Sequence, residues 1–136
     1  MAAKPPVTVL IVDDQARQRE GFRMVIDSQR DLTVIGEAGD GAQALAFVRR
    51  TPTDVVLMDV RMPRVNGLTA AERISADVQV QALGPAPRIV LVTALDLDDF
   101  VPMTAAVGAF ALLYKDAPPV ALLEAIRGAA KQRLTA

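Results

Sequence analysis

Cysteine and histidine are both missing from the 136 residues. Without cysteine there are no disulfides, no thiol nucleophile and no thiolate metal site. Without histidine as well, any bound metal must be held by oxygen, which favours hard ions such as Mg2+ or Ca2+. Charge of one sign is also lacking: 15 Lys and Arg stand against 16 Asp and Glu, a formal net charge of −1. The arginines are scattered from Arg17 to Arg133, and no stretch interleaves base with aromatics, so no nucleic-acid grip is visible. No apolar run approaches the ~18 residues of a membrane span. The start, Met-Ala-Ala-Lys-Pro-Pro, is too short and too polar for a signal peptide. The expected setting is cytoplasmic, with no membrane contact.

What is present suits one domain with a sizeable core, since 51% of the residues are hydrophobic. Short apolar runs alternate with segments of helical period. Strands are expected at residues 7–12, 33–38, 54–58, 88–93 and 109–113. Helices are expected at 15–28, 41–50, 65–76 and from about 118 to 131. Gly21 lies inside the first of these at a cost of about 1 kcal/mol relative to Ala. Pro118 and Pro119 suit a first helical turn, where the backbone N–H has no partner to lose. Residues 78–87 (VQVQALGPAP) read as one long surface loop. Repeated β-α alternation with nearly continuous apolar strands implies a parallel sheet covered on both faces. Right-handed crossovers then leave a small doubly wound α/β sheet. The expected organisation is an N-terminal extension at 1–6, one domain at 7–131 and a tail at 132–136.

In such sheets ligands bind outside the carboxyl ends of the strands. Asp13 and Asp14 end the first strand, Asp59 the third and Thr93 the fourth, while the fifth runs into Lys115. Each alone is most often a turn former, a cap or a solvated charge. Three acids, a hydroxyl and an ammonium at four strand ends are hard to explain by capping. Carboxylates so close would be relieved by a hard divalent cation that retains several waters. A carboxylate can also attack phosphorus and hold the group as an acyl phosphate, a transfer that depends mainly on positioning and charge neutralisation.

LIVDD (10–14), LMDVRMP (57–63), VTA (92–94) and YKDA (114–117) resemble the receiver domains of two-component response regulators, in that family's order and spacing. The resemblance spans roughly residues 7–131. It implies a flavodoxin-like (βα)5 sheet of order 2-1-3-4-5, and a sensor histidine kinase as phosphoryl donor. Asp59 matches the phosphoacceptor, Asp13 and Asp14 the Mg2+-binding acids, and Arg61 the position whose backbone carbonyl completes the metal shell. Thr93 matches the switch hydroxyl and Lys115 the residue that salt-bridges the phosphoryl group. Pro63 and Gly67 fit the loop after the acceptor, where Gly can supply unusual backbone angles. Such a domain is not an enzyme in its own right beyond slow self-phosphorylation and self-dephosphorylation.

GEAGDGAQAL (36–45), TALDLDDFV (93–101) and KDAPPVALLEAIR (115–127) resemble the NarL/LuxR type, in which a helix-turn-helix DNA-binding domain follows the receiver. The chain stops at Ala136, so the expectation is a receiver excised from a transcription regulator; a natural stand-alone regulator is the alternative. Homodimerisation on phosphorylation is implied by the resemblance, and contact with DNA only through the absent domain.

Two positions depart from the family pattern. The Tyr or Phe usual three residues before the lysine is Leu112, with Phe110 and Tyr114 two residues to either side. Pro102 falls where a fourth helix should run, so that helix is expected to start no earlier than about Asp99 or to be kinked. Asp96, Asp98 and Asp99 would cap its start rather than bind metal. One alternative function is a protein-binding receiver that no longer depends on phosphate. A phosphatase using an aspartyl-phosphate would want a second acid two residues after the nucleophile, and Arg61 stands there.

Overall fold

A computed structural model describes residues 4–62, 64–94 and 107–135. Five parallel strands, β1 (Val7–Val12), β2 (Leu32–Ala38), β3 (Val55–Asp59), β4 (Arg88–Thr93) and β5 (Ala111–Tyr114), form one sheet in the order β2-β1-β3-β4-β5. This is the doubly wound order expected from the motifs. The described helices are α1 (Ala16–Asp27), α2 (Gly41–Arg50), α3 (Gly67–Ala76), α4 (Val78–Ala82) and α5 (Pro119–Thr135). The expected helix around Pro102, with Asp96, Asp98 and Asp99, lies outside the described residues, as does Pro63.

The central strands are apolar along their middle residues, as in Val9–Val12, Val55–Met58 and Ile89–Val92, because each presents a side chain to both faces. Leu10, Val12, Val56, Met58, Ile89 and Leu91 pack with Ala44, Val48, Ala70, Ala71, Ile74 and Val80 of α2, α3 and α4. Their alternates Val9, Ile11, Val55, Leu57, Val90 and Val92 pack with Phe22 and Ile26 of α1 and with Leu122, Leu123 and Ile126 of α5. β2 breaks this alternation. Val9 pairs with Val34 but Leu10 pairs with Gly36, so Ile35 is an inserted bulge residue. The bulge puts Glu37 opposite Ile11, and therefore on the α1 side of the sheet.

Several helix starts are set by side-chain caps. Asp40 accepts from the Gln43 N–H at 2.8 Å, and Asn66 accepts from the Thr69 N–H at 2.9 Å. The Asn66 cap is why α3 begins at Gly67 rather than at Val65. The expected long loop at 78–87 is corrected: its first five residues form α4. Asp77 accepts from the Gln79 and Val80 N–H groups at 3.0 Å each, and Val80 is buried. One turn is too short for a periodic signal, and the Asp77 cap together with tertiary burial of Val80 holds it. α5 continues to Thr135, past the expected end at Lys131. Near its end Arg133 reaches Asp54 at 2.7 Å and the Pro85 carbonyl at 3.0 Å, tying the helix to the start of β3.

Candidate functional site

The parallel arrangement brings the ends of β1, β3, β4 and β5 to one edge, and each sequence-nominated acid, hydroxyl and ammonium lies there. Asp13, directly after β1, is fully buried and held at three points. Its N–H donates to the Ala38 carbonyl at 3.1 Å, its Oδ1 accepts from the Gln15 N–H at 2.9 Å, and its carbonyl accepts from Arg19 Nη1 at 2.7 Å. Asp59, the last residue of β3, is 3% exposed, and Asp14 faces solvent. Asp59 Oδ1 accepts from the Arg61 N–H at 3.2 Å.

Lys115 closes the arrangement. Its Nζ lies 3.0 Å from Asp13 Oδ2 and 3.1 Å from Asp59 Oδ2. Its backbone N–H donates to the Thr93 carbonyl at 2.9 Å, while the Val60 N–H donates to the Val92 carbonyl at 2.9 Å. These two bonds lace the ends of β3, β4 and β5 together, with Thr93 wholly buried among them. Beside the lysine a cavity of about 340 Å3 opens between Ala94, Tyr114, Lys115 and Asp116.

The electrostatics are those of an underneutralised acid cluster. Carboxylate oxygens of Asp13, Asp14 and Asp59 can all lie within 4.8 Å of one another. Three carboxylates against one ammonium leave an excess of two negative charges (three minus one). Burial pushes the Asp59 carboxyl above the usual carboxylate range, the Asp13 charge adds to this, and Lys115 opposes it. The Lys115 ammonium is held above the ordinary lysine range; burial pulls it down, and the bonds to Asp13 and Asp59 outweigh that. Asp13 Oδ2 is buried with the Lys115 ammonium, 3.0 Å away, as its partner. An oxygen-only donor set of three carboxylates and an excess of two negative charges fit a hard divalent cation.

Gly67 is needed here for a reason other than the expected one. It does not adopt a positive φ; that conformation belongs to Arg64 in the same loop, at φ 70°. A Cβ on Gly67 would lie 2.1 Å from the Asp59 carbonyl oxygen, and the Gly67 N–H donates to the Val60 carbonyl at 2.8 Å. The glycine lets α3 start directly against the acceptor strand. Sequence reading also missed Arg19 and Glu37. Arg19 stands one turn into α1, but its anchor Glu37 is 18 residues away on β2 and is aimed by the bulge, so no local spacing joins them. Leu112 is partly buried on the α3 side, whereas Phe110 and Tyr114 are 37% and 41% exposed.

A five-stranded doubly wound sheet with a lysine-bridged acid cluster at its carboxyl edge defines a flavodoxin-like α/β domain of the receiver class. The chain belongs to the response regulator receiver domain family, whose model matches residues 9–127. It is 43% identical over 128 residues to the transcriptional regulatory protein YxjL of Bacillus subtilis, covering 94% of this chain and 56% of that protein. It is 35% identical over 131 residues to the nitrate/nitrite response regulator NarP of Escherichia coli, covering 96% and 58%. The chain thus spans little more than half the length of these relatives. Its structure resembles the signal receiver domain of the putative response regulator NarL from Mycobacterium tuberculosis, with a TM-score of 0.82 and 30% identity over 94% of this chain and 98% of that one. These relatives agree with the NarL/LuxR subfamily. Protein-glutamate methylesterases are also similar, but the match covers 31% of such a protein from Myxococcus xanthus. Among the described residues no helix is long and apolar enough to cross a membrane.

Proposed function

We propose that this receiver is a phosphorylatable switch in which Asp59 takes a phosphoryl group from a phosphohistidine of a sensor histidine kinase. The observation that carries the reading is the bridging of Asp13 and Asp59 by Lys115 within a pocket that keeps two excess negative charges. An Asp59 carboxylate oxygen forms the new bond to phosphorus as the N–P bond breaks. The imidazole retains the electron pair and is reprotonated, and an acyl phosphate remains on the chain. Lys115 neutralises phosphoryl oxygen charge, and the Thr93 hydroxyl donates a hydrogen bond to the same group. Asp13, Asp14, Asp59 and the backbone carbonyl of Arg61 would hold Mg2+. When bound, that ion supplies charge neutralisation at the transferring group.

Movement of Thr93 toward the phosphoryl group would pass the signal to the face formed by β4 and β5. The output would be transcriptional, through a C-terminal helix-turn-helix DNA-binding domain following residues 7–131, with homodimerisation on phosphorylation in a cytoplasmic setting. The regulatory relatives, which extend well past the shared region, support this. A second reading is a phosphate-independent binding module. It is favoured by Leu112, an aliphatic side chain where a rotating ring would couple Thr93 to the surface.

Intact-protein mass spectrometry after acetyl phosphate and Mg2+ treatment tests the proposal. Asp59 should gain ~80 Da, and Asp59→Asn should not. BeF3− should change the shape or association state. Absence of uptake in the unsubstituted chain would sink the switch in favour of the binding module.

A further inference from the structure

Arg19 contacts none of the three carboxylate side chains, yet it holds the backbone between two of them. Its Nη1 donates to the Asp13 carbonyl at 2.7 Å while its Nε donates to Glu37 Oε1 at 3.0 Å. The second Glu37 oxygen pairs with Arg23 Nε at 3.0 Å, so both carboxylate oxygens are engaged and the fork of Arg19 has one orientation. Glu37 is available to α1 only because the bulge at Ile35 turns it to that side of the sheet. The carbonyl that Arg19 grips belongs to the Asp13–Asp14 peptide. Fixing that peptide plane constrains ψ of Asp13 and φ of Asp14, and with them the directions in which both acids leave the chain. Asp14, exposed and lacking the other tethers of Asp13, depends most on this constraint.

We infer that Arg19 is a positioning residue for divalent-cation binding, setting the Asp13–Asp14 peptide through a Glu37-anchored guanidinium. The inference rests on the reading of the acid cluster as a Mg2+ site. Positioning and charge have opposite signs here. As a bare cation near the pocket, Arg19 would repel Mg2+, and its removal would tighten binding. As a positioning residue, its removal weakens binding, in the manner of groups that orient metal ligands without touching the metal.

The test is Mg2+ titration by calorimetry of the unsubstituted chain, Arg19→Met and Arg19→Lys, with thermal unfolding measured on each without metal. Arg19→Met should raise the Mg2+ Kd about ten-fold. Arg19→Lys should also bind more weakly than the unsubstituted chain, because one ammonium cannot hold the carbonyl and Glu37 in a fixed fork. An unchanged or tighter Kd in Arg19→Met, whatever its melting temperature, would overturn the inference and leave Arg19 as a tie between α1 and β2. Should Arg19→Met fail to fold, the charge-conserving Arg19→Lys carries the test: weaker Mg2+ binding supports positioning, and unchanged binding overturns it. If the unsubstituted chain itself takes up no Mg2+, the inference falls together with the site reading. If only the substitutions lack effect, it falls alone.

Discussion

Gly67 and Asp59 touch through backbone alone: a Cβ on Gly67 would stand 2.1 Å from the Asp59 carbonyl oxygen and 2.9 Å from its carbon. Neither obstacle is the end of a flexible side chain, so nothing can swing aside. The start of α3 and the end of the acceptor strand are therefore one rigid unit.

Gly67→Ala should accordingly cost about 3 kcal/mol, at the upper end of overpacking penalties. It should also impair phosphorylation by displacing Asp59. Chemical denaturation and acetyl phosphate uptake measure the two effects. A variant with unchanged stability and uptake would show that the two elements separate freely.

Asp59 sits in a site that favours its neutral form. Its folded pKa is raised, so its contribution to stability is present below the ordinary carboxylate pKa and is lost as pH rises through the folded value. At neutral pH the ionised group is a liability, and Lys115 keeps Asp13 as partner when Asp59 is replaced. Asp59→Asn should therefore melt higher than the unsubstituted chain at pH 7 in metal-free buffer, and the gap should close on acidification. A lower melting temperature at pH 7 would contradict this account.

Gly21 lies on the exposed side of α1, and a Cβ built there meets nothing within 4 Å. Its φ lies outside the positive range, so Gly21→Ala should stabilise the fold by about 1 kcal/mol. The shift is read as a higher urea midpoint at unchanged slope. No gain would imply a packing or docking role for the bare backbone.

Asp77 caps α4 and pairs with Arg49 at 2.6 Å. The hydrogen bond from Arg49 chiefly, with the Val80 and Gln79 N–H groups, holds its carboxyl below the usual range against a burial penalty. Its stabilising effect is present above the ordinary carboxylate pKa and is lost as pH falls through the lower folded value. Asp77→Asn keeps a cap acceptor but loses the ion pair. Amide exchange at Gln79 and Val80 should quicken near pH 6, with the difference fading in acid. Equal exchange at both pH values would mean that the cap alone holds α4.

Strand identity could be read from the chain because β1, β3 and β4 are buried on both faces, which demands nearly continuous apolar runs such as VLIV (9–12) and IVLV (89–92). Their polar ends, Asp13, Asp59 and Thr93, could be read for the same reason, since a charge or hydroxyl breaking such a run stands out. Capping was not legible in the same way: periodicity puts the start of α3 at Val65, and the Asn66 side chain moves it to Gly67. Tertiary structure alone decided the rest. The turn at α4 exists because Val80 finds a buried place, the bulge at Ile35 aims Glu37 at α1, and Gly67 is required by a close approach rather than by its own torsions. Each of these depends on contact between segments distant in sequence, and periodicity records only which face of an element is buried, never what lies against it.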